Sequence, residues 1–267
     1  MAKNGPDAMA TIADELLTAA ELVRGQELMT VRAEVSAAQA CAQLDEVGFD
    51  VAPITSVPIR QFVRRDELAG AKDELVGAFA RDISDAERLP ESTPLSETLR
   101  ALKRQPYLFV QHRQHVTGLI THADIGQQPV NLLVLGTILS FESALDALIQ
   151  GEAPEEEWFK VLSESRQEAV ESIFRQRQQA NIELGRINCL SVSDRIDIAR
   201  KLHLSDRLGF SSARELKTWK EQVRDLRDTL AHGGTVLDAF PEPDDALAGI
   251  EQLSHVAARS WASSFRG

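Results

Sequence analysis

The amino-acid sequence predicts an α+β fold for its first half and an all-α fold for the rest. Up to Gln127, helical stretches alternate with short segments of β-branched and aromatic residues. After Gln127, the apolar residues recur every three to four positions, which is the spacing of an amphipathic helix. We therefore expect an N-terminal helix in residues 1–28, a repeated α+β unit in residues 29–127, and a helical bundle in residues 128–267.

The elements predicted for the first half form a weak internal repeat. A helix is expected at Ala8–Arg24 before the repeat begins. Each copy then reads helix, strand, strand and the start of a further helix. The first copy comprises Ala37–Glu46 ending at Gly48, Phe49–Ile54 and Ile59–Val63, and the second comprises Pro94–Lys103, Tyr107–Gln111 and Val116–Thr121, with a hairpin turn at His112–His115.

The second copy contains the string Gly118-Leu-Ile-Thr121-His-Ala-Asp124. This string and the order of the elements resemble the CBS motif, and the two copies together resemble a CBS-domain pair. The resemblance implies β-α-β-β-α repeats that bind a regulatory adenine nucleotide, with AMP, ADP, ATP and S-adenosylmethionine as candidates. It also implies that Asp124 accepts hydrogen bonds from the ribose hydroxyls, that Thr121 faces phosphate, and that Gly118 lets the backbone approach closely.

The same string has a purely structural interpretation. A Thr followed three residues later by an acid is also the capping box of a helix N-terminus, and a residue can serve both purposes. In the first copy the aligned positions are Arg64 and Glu67, which depart from the pattern. The sequence therefore predicts at most one nucleotide site per chain.

The second half predicts helices only. They are expected at Val130–Ile149, Pro154–Glu183, Val192–Leu202, Ser211–His232 and Ala246–Ser264. The fourth of these carries an apolar stripe made up of Leu216, Trp219, Val223, Leu226 and Leu230. Gly233 and Gly234 follow it, and glycine is the residue at which helices usually end.

The end of this helix reads Arg227-Asp-Thr-Leu-Ala-His232-Gly-Gly. The pattern resembles the Arg-x4-6-His signature of the HEPN family, whose all-helical domains are often metal-independent ribonucleases. The resemblance implies an RNA endonuclease that cleaves by 2′-hydroxyl attack without a catalytic cofactor. His232 would act as general base or acid and Arg227 would stabilise the charge on phosphorus, within a homodimer.

Helical geometry separates the two motif residues. Five residues at about 100° each place Arg227 and His232 on different sides of one helix, which favours a site shared across a two-fold axis. Asp228 lies one turn before His232 and is expected to orient the imidazole. The alternative is a solvated Arg224–Asp228 ion pair and a histidine that only favours the helix dipole.

Glu142 falls on or beside the apolar face of the first predicted bundle helix. A buried carboxylate needs a partner, for which Arg227 and Arg224 are the candidates. Such a pair would either support the catalytic site or serve only as a structural salt bridge.

Composition limits the functions that remain. A net charge of −12 argues against a protein that follows a long nucleic-acid backbone. Nine basic against six acidic residues between Arg195 and His232 leave room for a small RNA site. Cys41 and Cys189 do not have the spacing of a disulfide pair or of a metal site. No secretory signal is visible at the N-terminus. The apolar run Val130–Leu139 is too short to cross a bilayer. We expect a cytoplasmic protein that does not enter the membrane.

The histidines do not predict a metal site. His112, His115 and His122 lie on strand and turn positions that point in different directions, and no cluster of acids or cysteines completes a coordination sphere.

The sequence as a whole is compatible with two functions. One is a nucleotide-regulated ribonuclease, and the other is a non-catalytic CBS regulator whose helical domain serves dimerisation or partner binding.

Overall fold

The computed structural model describes residues 16–71 and 73–264. They form two compact units that divide between Asp124 and Ile125, three residues before the expected position. The N-terminal unit begins at Leu17, so that the end of the expected first helix belongs to it. Residues 8–15 of that helix lie outside the described residues, and the described part contains α1 (Ala19–Val23).

The first repeat of the N-terminal unit contains a helix and a small antiparallel sheet. Its elements are α2 (Ala37–Val47), β1 (Val51–Pro53), β2 (Gln61–Arg64) and the short α3 (Arg65–Leu68). The sheet order is β1-β2-β3, where β3 is Arg81–Asp82. Ser36 caps α2 through its side chain. The helix ends at Gly48, as the sequence predicts, and this glycine has the left-handed conformation.

The second repeat has the same order of elements. It consists of β4 (Arg88–Pro90), α4 (Leu95–Leu102), β5 (Tyr107–His112) and β6 (His115–Thr121), and a 3₁₀ turn follows at His122–Gly126. Strand β4 is parallel to β5, and β5 is antiparallel to β6. The first repeat has the parallel pairing in reduced form, as a single bridge between Val31 and Ile54. The β-α-β-β-α order that the CBS resemblance implies is therefore present with two reductions: a bridge stands for the first strand of the first copy, and a 3₁₀ turn stands for the last helix of the second.

Apolar packing within the N-terminal unit joins the two repeats. The rings of Phe62 on β2 and Phe109 on β5 are fully buried, with their centroids 5.2 Å apart. Helix α2 buries Ala37, Ala40 and Leu44 against its own sheet. The alternation of buried and exposed residues along β6 is the period-two pattern of a strand with one covered face.

The regular secondary structure in the described part of the C-terminal unit is helical, as predicted, and includes a 3₁₀ turn at Arg186–Cys189. Its helices are α5 (Gln128–Glu152), α6 (Glu155–Lys160), α7 (Glu164–Gln179), α8 (Val192–Lys201), α9 (Ser205–Leu208), α10 (Ala213–Ala231), α11 (Val236–Ala239) and α12 (Pro243–Ser264). Together the two units confirm the predicted α+β class.

Helix α5 is the core helix of the C-terminal unit. Phe141 packs edge-on against Trp219 of α10, with centroids 5.3 Å apart, and Ser140 accepts a hydrogen bond of 3.0 Å from Trp261 of α12. At 25 residues, α5 is long and apolar enough to cross a membrane by length and composition alone, although the sequence run Val130–Leu139 is not. The core helix of a globular protein has the same length and composition, and more than half of the apolar part of α5 is buried inside the protein.

One predicted helix is wrong in its extent. The expected helix Pro154–Glu183 is two helices, because the chain turns at Ser163, which has extended backbone angles. The turn lets Trp158 and Leu162 enter the core, where both are buried. The second helix ends before Asn181, which has a left-handed φ of 56°, a conformation that asparagine tolerates better than most residues.

Candidate functional site

The two repeats of the N-terminal unit enclose a cavity of about 900 Å³, here called the repeat cavity. It lies where corresponding strand ends meet: Val51 pairs with Arg64 across β1 and β2, and Tyr107 pairs with Thr121 across β5 and β6. These four residues all line the cavity, together with apolar side chains including Leu28, Met29, Phe49 and Leu119. This volume and partly apolar lining are those of a small-molecule site.

The three residues predicted to bind a nucleotide, Gly118, Thr121 and Asp124, lie on one wall of the repeat cavity. The Asp124 carboxylate accepts hydrogen bonds from the backbone N–H of Thr121 at 2.6 Å and from its hydroxyl at 3.1 Å. This is the capping arrangement that the sequence allows as an alternative. It fixes the carboxylate at the cavity wall.

The same arrangement occurs elsewhere in the chain. At the start of α11, the Asp238 carboxylate accepts from the Thr235 N–H at 2.7 Å and from its hydroxyl at 3.0 Å. Asp238 is not among the residues that line the repeat cavity. A Thr-x-x-Asp cap is therefore no sign of a ligand by itself, and the cavity is what distinguishes Asp124 from Asp238.

Gly118 has a different role from the expected one. A Cβ atom at this position would lie 2.5 Å from Cγ1 of Val23 on α1. The close approach that requires glycine is thus between β6 and α1, although Gly118 also lines the cavity. The glycine is explained by packing without any ligand.

The wall formed by the first repeat carries two arginines, each paired with acids. Arg65 donates to Asp45 at 3.0 Å and also to Asp50, and Arg64 donates to Asp66 at 2.8 Å. All five residues line the cavity. The sequence singled out Arg64 as a departure from the motif but did not indicate the pairing of Arg65.

In the first repeat, the position aligned with Asp124 is Glu67, and its carboxylate binds a residue outside the cavity. Glu67 accepts two hydrogen bonds from the Arg81 guanidinium and is not among the lining residues. The first repeat therefore presents guanidinium groups to the cavity where the second presents a hydroxyl and a carboxylate. This asymmetry agrees with the expectation of at most one nucleotide site per chain.

Two neutral acids in the cavity lining ionise less readily than usual. Burial raises the pKa of the Tyr107 hydroxyl, and the nearby carboxylate of Glu87 raises it further. Burial also raises the pKa of the Cys41 thiol, with the Asp45 carboxylate acting in the same direction. In both cases the carboxylate makes a further negative charge less favourable.

Local contacts explain two of the three histidines in the N-terminal unit. His112 meets the Glu91 carboxylate at 2.5 Å, and a ring nitrogen of His122 lies 3.0 Å from the carbonyl oxygen of Leu102. In the part of the chain that the structure describes, no three His, Cys, Asp or Glu side chains are grouped so that they could hold a metal ion.

The Arg–His motif lies at the end of α10 in the C-terminal unit. The helix ends at Ala231, His232 follows as its cap, and Gly233 has a left-handed φ of 83°, as the pair of glycines predicts. Of the expected stripe, Leu230 is only partly buried, whereas the other four members are buried. Arg227 and His232 are both exposed.

Asp228 does not orient His232 in this structure. Its carboxylate accepts a hydrogen bond of 3.2 Å from Arg227, and it is the backbone carbonyl of Asp228 that receives the His232 N–H. Among the described residues, no side chain forms a hydrogen bond with the His232 ring. The alternative Arg224–Asp228 pair is also absent from the described ion pairs, since Arg224 binds Glu221 and Asp225.

Glu142 is partly buried, as expected, but its ion-pair partner is Arg195 on α8. The Arg195 guanidinium lies 3.6 Å from Glu142 and donates to Asp146 at 2.6 and 3.0 Å. Burial raises the pKa of Glu142, whereas the positive charges of Arg195 and, to a smaller extent, Arg227 lower it. Arg227 thus acts on Glu142 through its charge, while the expected ion pair with Arg227 or Arg224 is not formed.

Arg195 and Asp146 are the residues that sequence reasoning missed. Arg195 is 5% exposed and also donates to the backbone carbonyl oxygens of Ile187 and Leu190. Asp146 lies four residues after Glu142, so two carboxylates on one face of an apolar helix were the available signal for a buried cation.

Solved structures similar to this chain include CBS-domain proteins. A hemolysin-like protein containing a CBS domain from Oenococcus oeni PSU is 17% identical, with a TM-score of 0.35 over 45% of this chain and 95% of that one. The CBS domain of a bacterial CNNM/CorC family Mg²⁺ transporter, in complex with ATP, is 16% identical, with a TM-score of 0.38 over 48% and 94%.

A third similar structure is the CBS domain of a CBS domain-containing membrane protein from Sphaerobacter thermophilus, which is 10% identical, with a TM-score of 0.35 over 44% of this chain and 90% of that one. No protein family model matches the chain, and no curated protein matches it significantly. At these identities and scores the likeness alone decides neither the fold nor the function.

Proposed function

We propose that the N-terminal unit binds an adenine nucleotide in the repeat cavity, and that the chain is a nucleotide-responsive regulatory protein of CBS type. The observation that carries this proposal is the position of Thr121 and Asp124 on the wall of a cavity of about 900 Å³. The carboxylate can accept hydrogen bonds from ribose hydroxyls, and the apolar lining suits a purine ring. ATP in the similar CNNM/CorC domain agrees with this class of ligand.

Calorimetric titration of the full chain tests the proposal, with AMP, ADP, ATP, adenosine and S-adenosylmethionine as probes. We expect one site per chain. Asp124→Ala should weaken binding by about 1.5–3 kcal/mol, the scale of hydrogen bonds to a charged group. The matched control is Asp238→Ala, which removes the same type of cap outside the cavity and should leave affinity unchanged.

Asp124→Asn separates capping from charge. Its amide oxygen can still accept from Thr121, so the local fold should persist while the charged acceptor for ribose is lost. If no probe binds to the wild type, the N-terminal unit is not a nucleotide sensor. Equal losses for Asp124→Ala and Asp238→Ala would place the ligand elsewhere.

A second function, cleavage of RNA by the C-terminal unit, is supported by one observation. Arg227 and His232 are both exposed at the end of α10, where they can meet a substrate, and Arg227 lies close enough to Glu142 to lower the pKa of that carboxyl. We infer a homodimer for this activity, because the two residues diverge along one helix. His232 would transfer the proton, and Arg227 would hold the phosphate charge.

The test is an RNA-cleavage assay of the wild type, His232→Ala and Arg227→Ala, with Arg224→Ala as the control arginine. Each motif variant should lose at least about 10²-fold in rate, and the control should keep its rate. Cleavage should survive chelators and leave 2′,3′-cyclic phosphate ends. Activity that persists in His232→Ala, or that stops with chelator, contradicts the mechanism. Absence of cleavage on any RNA favours the purely regulatory function.

A further inference from the structure

The charge of the repeat cavity limits which adenosine ligands it can bind. Two guanidinium groups, Arg64 and Arg65, line it against five carboxylates, which gives a formal balance of −3. The carboxylates are those of Glu27, Asp45, Asp50, Asp66 and Asp124, and His122 is a further titratable group in the lining. Such a lining repels a polyanion and attracts a cation.

The two guanidinium groups are the only lining charges that suit phosphate, and both are already paired. Arg65 is held by Asp45 and Asp50, and Arg64 is held by Asp66. A phosphate chain that displaced these carboxylates would leave three unpaired negative charges beside its own. The pairs are partly exposed and individually weak, so the unfavourable effect comes from the net charge rather than from breaking the pairs.

One neutral acid of the lining indicates the same sign of potential. Beyond the effect of burial, the lining carboxylate of Asp45 raises the pKa of the Cys41 thiol. The pKa of Tyr107 does not report on the lining in this way, because, beyond burial, the carboxylate that raises it, Glu87, lies outside the lining and Arg64 in the lining lowers it. A group that gains negative charge beside Cys41 therefore meets opposition on the wall formed by the first repeat.

On the basis of the nucleotide-binding function above, we propose that the repeat cavity selects adenosine ligands whose 5′ substituent is neutral or positively charged, such as adenosine and its sulfonium derivatives, over the polyphosphates ADP and ATP. Asp124 would hold the ribose, and Asp45 and Asp50 on the first repeat supply two of the five negative charges of the lining. These two acids determine specificity through their charge.

The experiment compares adenosine, S-adenosylmethionine, AMP and ATP by calorimetry on the full chain in the presence of a chelator. Adenosine and S-adenosylmethionine should bind more tightly than AMP, and ATP should bind at least about tenfold more weakly than adenosine. Raising the salt concentration should strengthen ATP binding, weaken S-adenosylmethionine binding and leave adenosine unchanged, because screening acts on charged ligands only.

A double variant tests the residues. Asp45→Asn with Asp50→Asn removes two negative charges and frees Arg65, so ATP affinity should rise about tenfold while adenosine affinity stays constant. The charge-matched control is Asp85→Asn with Glu97→Gln, two exposed acids of the same unit outside the lining, and it should change neither affinity.

The outcomes separate this proposal from the proposed function. Binding of ATP that equals or exceeds that of adenosine overturns the charge selection but keeps the nucleotide site. Absence of binding by every probe overturns both. If the double variant fails to fold, the opposite salt dependences of ATP and S-adenosylmethionine in the wild type still decide the question, and equal salt dependences contradict the proposal.

Discussion

Replacing Arg195 with methionine should destabilise the C-terminal unit by about 3–5 kcal/mol, the typical loss when a buried ion pair loses one partner. Arg195 is 5% exposed, and its guanidinium donates to Asp146 at 2.6 and 3.0 Å. The side chains of Asp146 and Glu142 are only 17% and 18% exposed, so both carboxylates would remain partly buried without a cation. Two backbone carbonyls, of Ile187 and Leu190, would also lose their donor.

The size of this loss should depend on pH. Burial raises the pKa of Asp146 and Glu142 above their ordinary values, and Arg195 opposes that rise. Carboxyls with a raised pKa bind protons in the folded state at a pH where the unfolded chain has released them, so they lower stability as the pH rises. Without Arg195 their pKa rises further. The loss in Arg195→Met should therefore be greatest near neutral pH and shrink as the solution is acidified.

Urea unfolding followed by tryptophan fluorescence measures this loss. The three tryptophans, Trp158, Trp219 and Trp261, all lie in the C-terminal unit, so the signal reports on that unit alone. Arg224→Met is the control, because its ion pairs are exposed and should contribute less than about 1 kcal/mol. A loss below about 1.5 kcal/mol for Arg195→Met, or an equal loss at about pH 7.5 and pH 5, would refute the reasoning.

Three further predictions concern other sites. Gly118→Ala should lower the stability of the N-terminal unit by about 1–3 kcal/mol in calorimetric melts, because its Cβ would meet Cγ1 and Cβ of Val23 at 2.5 and 2.6 Å; Val23→Ala removes the first contact but keeps the second, so it should restore only part of the loss. Asp194→Asn should destabilise the C-terminal unit at neutral pH but not in strong acid, since hydrogen bonds outweigh burial and lower the pKa of this carboxyl, and the stability it contributes is lost as the pH falls through that lowered pKa. If RNA is cleaved, Asp228→Asn should leave the pH–rate profile of His232 unchanged, because no described hydrogen bond joins the two side chains; a shifted profile would contradict this geometry.

The fold was predictable wherever local patterns decide it. The helix-strand-strand order, the hairpin at His112–His115 and the helical second half all follow from periodicity and turn residues. The helix break at Ser163 was not predictable, because it depends on burying Trp158 and Leu162 in the core. Strands β3 and β4 were also missed, since two- and three-residue strands have too little periodicity to read.

The candidate site was predictable only in part. The sequence string identified Thr121 and Asp124, which do line the cavity, but it assigned Gly118 to a ligand although Val23 already requires glycine there. The opposing wall comes from residues far apart in the chain, so the Arg65 pairs with Asp45 and Asp50 could not be read from spacing. The same holds for the buried partner of Glu142, which is supplied by a helix about fifty residues later.

Hydrogen exchange of the full chain, with and without saturating adenosine, tests the central claim most directly. The account predicts slower exchange at residues 118–124 and at the facing strand ends around residues 49–51 and 64–66, because a ligand in the repeat cavity touches both walls. The Asp238 cap should exchange at the same rate in both states. Adenosine that binds without slowing exchange at residues 118–124, or that protects only residues outside the cavity lining, would contradict the claim that this cavity binds the adenosine moiety of the ligand.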